Sequence, residues 1–204
     1  MNLFKTTLLA AAMLAAIPMA AQAESQFVAG TGSASAKLDF RVTIPRVLFL
    51  RVGAGSDFAD NATINLIDFA PAAANLGNGA SVAGTGGDLG AGAVTAKVIG
   101  NNGTITLLAT TAGALSNGAA GDTISYSQIT TTPTSLTSAT VLAAPVLADG
   151  ASAPVTLTPG AGTKVINRDA RWTFGYANSA VVAPGTYGGV NTNNGRVTYT
   201  ASMP

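Results

Sequence analysis

Any chemistry in this chain must come from oxygen atoms and a few cations, because its 204 residues include no Cys and no His. Thiolate nucleophiles, Cys/His zinc sites and every triad built on an imidazole base are excluded. The acids are eight Asp and one Glu, Glu24. They are scattered, and most stand beside Gly, Ala or Asn, where a carboxylate accepts from backbone amides in a turn. Asp57 and Asp60 are the closest pair. With Asn61 they make an oxygen set for a hard cation such as calcium, but the spacing is not that of an EF-hand loop, and turn capping is the plainer reading. Gly84-Thr85-Gly86-Gly87-Asp88 and Gly160-Ala161-Gly162-Thr163-Lys164 complete neither a dinucleotide nor a Walker pattern, and neither opens a periodic helix. No catalytic set, metal site or cofactor site is expected, and the chain reads as a non-enzyme.

Trp172, Phe174 and Tyr176 alternate strictly, as one face of a buried central strand does. A stand-alone glycan- or protein-binding module is the alternative reading. It would need Tyr126, Trp172, Tyr176 and Tyr187 exposed near a loop. Arg168 and Arg171 flank Asp169 and read as a local surface ion pair, worth about 0–1 kcal/mol. The formal net charge of +1 offers no basic patch for nucleic acid.

The elements that must position these residues are strands. Glu and Lys fill the solvent side of most helices, and here they number one and four, while 48% of residues are hydrophobic and 9% charged. Gly (24) and Pro (9) supply frequent turns. Residues 1–23 carry one cation, Lys5, an apolar run from Leu8 to Ile17, the breaker Pro18 and a small-x-small site at Ala21-Gln22-Ala23. This is a secretory signal peptide, its run too short for the ~20 residues of a membrane span. No later segment spans a membrane. A lipoprotein is excluded by the missing Cys. Residues 24–33 are a small, polar leader.

The clearest pattern follows. Ala34, Ala36, Leu38, Phe40, Val42 and Ile44 alternate with Ser35, Lys37, Asp39, Arg41 and Thr43, which predicts a strand with one buried face over 34–44. Further strands are expected over 46–52, 64–69, 94–99, 104–108, 124–129, 155–157, 170–176 and 197–203, with a weak edge strand over 140–142. A long loop with a short helical turn is expected within 70–93. Gly100-Asn101-Asn102-Gly103 reads as the best hairpin turn. The fold class is all-β: a single β-sandwich of about eight to ten short strands over 34–204.

Both ends carry a resemblance. Lys37-Leu38-Asp39-Phe40-Arg41-Val42-Thr43-Ile44-Pro45, then Val47-Leu48-Phe49-Leu50-Arg51-Val52, resembles the start of cysteine-free chaperone–usher pilins. Pro184-Gly185-Thr186-Tyr187-Gly188-Gly189, then Arg196-Val197-Thr198-Tyr199-Thr200-Ala201, resembles their ending. The resemblance covers about 35 residues. It implies an incomplete immunoglobulin-like Greek-key fold, exported with a periplasmic chaperone and an outer-membrane usher and built into a cell-surface fimbria that serves adhesion. It also implies a homo-oligomer formed by strand addition. The donor residues would be Ala34, Ala36, Leu38, Phe40, Val42 and Ile44, and the acceptor groove would be walled by Val197, Tyr199, Ala201 and Met203. Exchange of 34–44 between subunits and completion of its own sheet both remain open at this point.

Overall fold

The computed structural model describes residues 25–118 and 121–204. The signal peptide expected over 1–23, and Glu24, lie outside the described residues. The chain divides at Ile44/Pro45 into two units.

In the first unit, residues 25–44, the backbone forms no strand or helix. The leader closes on itself where the Ser35 amide donates to Gln26 Oε1 at 3.0 Å. The predicted strand over 34–44 joins no ladder, and Leu38, Phe40, Val42 and Ile44 are 76–85% exposed. Alternation specifies which face of a segment is ready for burial. It does not specify the neighbour whose backbone groups would complete a strand.

The second unit, Pro45–Pro204, is all-β and has no α-helix among the described residues. Its strands are β1 (Leu48–Val52), β2 (Ile67–Asp68), β3 (Val82–Ala83), β4 (Thr85–Gly86), β5 (Ala93–Gly100), β6 (Ile105–Thr111), β7 (Leu115–Ser116), β8 (Thr123–Ile124), β9 (Ile129–Thr134), β10 (Val155–Leu157), β11 (Ile166–Tyr176) and β12 (Val197–Ser202). All pairings are antiparallel. One sheet runs β1-β5-β11-β9, with β3 continuing along β11 past the end of β5. A second sheet runs β10-β6-β12. Two short ribbons, β2/β4 and β7/β8, decorate them.

The core follows from side-chain alternation. Val94, Ala96 and Val98 of β5 and Ala170, Trp172 and Phe174 of β11 share one face of the first sheet. Ile105, Leu107 and Ala109 of β6 and Leu157 of β10 come from the second. Together they form a single buried cluster, the arrangement of a β-sandwich. Trp172 is fully buried and donates its indole N–H to the Leu142 carbonyl at 2.8 Å. Trp172 packs on Tyr199 of β12 with ring centroids 5.3 Å apart, so the aromatic face lies in the core as its alternation predicts.

Three local expectations need correction. Gly100-Asn101-Asn102-Gly103 does not close a hairpin, because β5 and β6 belong to different sheets. Both strands carry a largely apolar face, and stacking those faces across the sandwich takes them out of water. Ile124–Ile129 is not one strand: β8 ends at Ile124, Ser125 caps a short 3₁₀ turn at Tyr126–Gln128, and β9 begins at Ile129. Residues 140–142 form no strand, although the Leu142 amide donates to the Asp169 carbonyl at 3.1 Å and Leu142 is fully buried. The expected turn within 70–93 is present at Ala73–Asn75.

Candidate strand-acceptor site

β1 pairs with β5 and β12 pairs with β6, and among the described residues neither has a partner on its other edge. The two strands lie on the same side of the sandwich and touch across it. Their inward residues sit against the core without being sealed in it. Leu50 and Val52 of β1, and Val197, Tyr199 and Ala201 of β12 with Met203 just beyond, are half-buried, and Leu48 is 38% exposed. Thr198, Thr200 and Ser202 face outward. Val197, Tyr199, Ala201 and Met203, expected to wall a groove, share the inward face of β12 and its immediate continuation, and Leu48, Leu50 and Val52 share the inward face of β1. Residues 59, 61 and 63 lie alongside β1 across a gap of about 100 Å³, with no ladder between them.

The end of this side is fixed by the Gly100–Gly103 corner. The Asn101 side chain accepts from the Val47 amide at 2.8 Å and donates to the Pro45 carbonyl at 2.7 Å. Asn102 donates to the Pro204 carbonyl at 2.5 Å. A β-carbon on Gly100 would come within 2.6 Å of Ile105 Cδ1 and 3.2 Å of Met203 Sδ, so glycine lets β12 end close against β5. Neither asparagine was singled out for such a role: Asn in a turn signals backbone conformation and gives no hint of what its amide holds.

The six expected donor residues, Ala34 to Ile44 at even positions, are all exposed within the first unit.

The other candidates resolve differently. Asp57 faces two cations, with Oδ2 accepting from Lys97 Nζ and Oδ1 lying 3.6 Å from Arg51 Nη1, while Asn61 Oδ1 accepts from the Thr63 amide. Asp57 and Asn61 are thus each engaged within the protein, and no cluster of three acidic residues occurs among the described residues. Asp169 is not the centre of a surface ion pair. It is buried, and accepts from the Thr137 and Ser138 amides at 2.8 and 3.0 Å and from the Thr137 hydroxyl. Burial alone would raise its pKa, but these bonds outweigh it and hold the carboxyl well below the usual carboxylate range. Trp172, Tyr176 and Tyr126 are buried, and the Tyr187 hydroxyl donates to the Ala183 carbonyl at 2.9 Å. The four do not form an exposed stacking platform. Burial, and secondarily the charge of Asp149, pushes the Tyr126 phenol up to about 12.

The chain matches no protein-family model, no curated protein and no solved structure.

Proposed function

We propose that this protein is a secreted structural subunit of a bacterial surface fibre, assembled by β-strand addition and serving adhesion. One observation carries the reading: an exposed, alternating apolar segment precedes a folded body whose two end strands on one side lack outer partners among the described residues. In this reading the body is an incomplete immunoglobulin-like Greek-key sandwich. Residues 34–44 of one copy insert between β1 and β12 of the next, which touch in the isolated body and must part to admit them. Strand addition supplies main-chain hydrogen bonds along an edge and pockets for every second side chain. Eleven residues of donor exceed the five of β1 and the six of β12, so the donor can run the length of both edges. Export through the periplasm, with a chaperone holding the groove and an outer-membrane usher, belongs to the same proposal. A role as a glycan-binding module resting on exposed aromatics is less supported, since three of the four, Tyr126, Trp172 and Tyr176, are buried.

The test is electrophoresis of secreted material without and with boiling. A ladder that collapses to one band on boiling is expected for the chain from Glu24 to Pro204, and no ladder for a chain lacking 25–44. A single unboiled monomer band from the complete chain would overturn the proposal.

A further inference from the structure

The opposite side of the sandwich carries a groove that strand addition does not use. Where β10 ends and β11 begins, residues 158–160, 165–168 and 139–140 enclose about 330 Å³. That is within the ~300–1,000 Å³ of small-molecule clefts. Arg168 stands here on the inward face of β11, in register with the fully buried Val98. Its Nη2 donates to the Thr158 carbonyl at 2.6 Å, which tethers the guanidinium at the groove. No carboxylate lines the groove, and Arg168 has no ion-pair partner among the described residues. Asp169, its neighbour in sequence, projects from the other face and is occupied by Thr137 and Ser138. A guanidinium carries a fork of five N–H donors suited to a carboxylate, and one backbone bond leaves most of the fork unused. Around it are the apolar surfaces of Val165 and Pro159 and the hydroxyls of Thr140 and Thr158. Val165 is 53% exposed, so the mouth is open to solvent.

We infer that this groove binds an acidic saccharide of the uronic acid class. Its carboxylate sits on Arg168, its ring lies against Val165 and Pro159, and its hydroxyls meet Thr140 and Thr158. The inference does not rest on the fibre reading. A tethered cation without a counter-charge, beside mixed apolar and hydroxyl walls, selects a ligand that is anionic at one end and hydroxylated along its body.

The experiment is saturation-transfer NMR and equilibrium dialysis on the chain from Glu24 to Pro204, with D-glucuronate as probe and D-glucose and acetate as comparisons. Saturable glucuronate binding is expected, with glucose and acetate each at least tenfold weaker. Arg168→Gln should weaken glucuronate at least tenfold without changing the circular dichroism spectrum. Val165→Glu, which places a carboxylate at the mouth and leaves Arg168 intact, should do the same and weaken glucuronate several-fold more than Val165→Gln, which alters the same wall without adding charge; this pair carries the test if Arg168→Gln fails to fold. Absence of saturable glucuronate binding, undiminished binding in Arg168→Gln or Val165→Glu, or acetate or glucose binding as tightly as glucuronate would each overturn the inference.

Discussion

Asp169 keeps a negative charge inside the protein with hydrogen-bond donors in place of a cation. Its carboxylate and backbone together hold residues 137–142 against β11, through Thr137, Ser138 and Leu142. Charged hydrogen bonds of this kind are worth about 1.5–3 kcal/mol each, and their loss leaves buried amides unpaired. Asp169→Ala is therefore expected to lower stability by about 2–3 kcal/mol at neutral pH, read from urea unfolding. The native pKa is depressed, so the contribution is fully present above the unfolded value of ~3.9 and is lost as pH falls through the native one. The gap between wild type and variant should accordingly narrow below about pH 4. An unchanged gap on acidification would show that the carboxylate is not what holds the segment. The sequence places Arg168 and Arg171 beside Asp169, which suggests an ion pair. Successive strand residues point to opposite faces, so Arg168 is directed away, and the true partners lie about thirty positions upstream, where no local pattern points. Gly100 gives a second residue-scale expectation. Gly100→Ala must displace Ile105 or Met203, and should cost about 1–3 kcal/mol in thermal or urea unfolding.

Among the elements, β11 was the most legible, because its aromatic residues keep strict period two and the partners that bury them lie on every side. Trp172→Ala should cost ~3–5 kcal/mol, measured by chemical denaturation, since the indole is wholly enclosed. The corner between β5 and β6 was legible as a turn and misread as a hairpin. Local sequence encodes the reversal of direction, but whether two apolar strands pair at their edges or stack by their faces depends on burial summed over the whole sheet. Residues 34–44 show the converse: a clear strand pattern without a ladder. If they form the added strand, register decides the outcome of mutation. Phe40→Asp would drive an unpaired carboxylate into the groove at a cost of several kcal/mol, whereas Arg41→Asp, one position along, stays in solvent. The unboiled ladder should vanish for the first and persist for the second. Equal ladders for both would show that this segment does not bury one face.

At the scale of the whole molecule, the scarcity of Glu and Lys and the density of turn residues foretold an all-β protein, and both sheets bear that out. The side formed by β1 and β12 was half legible. β12 was readable as an alternating strand, but its lack of an outer partner among the described residues is a property of the completed topology. Every member of the core cluster lies between Leu50 and Met203. A chain comprising 45–204 is thus expected to fold with the same far-ultraviolet spectrum and nearly the same melting temperature as the monomeric complete chain. A large drop in melting temperature would show that 25–44 is part of the fold's own support. The grip of Asn101 on Pro45 and of Asn102 on Pro204 has a consequence for how freely the chain can be rewired. Adjacent α-carbons are about 3.8 Å apart, and adding two side-chain reaches puts the body's first and last residues within roughly 17 Å. A linker of about six residues could join them, and the exposed loop at 160–163 could be cut open to give new termini. Such a circular permutant would keep both sheets, and the outer edges of β1 and β12 that are unpartnered among the described residues, while beginning and ending in the connection between β10 and β11. The place where the polypeptide starts and the edges left unpartnered among the described residues are therefore separable by genetic surgery.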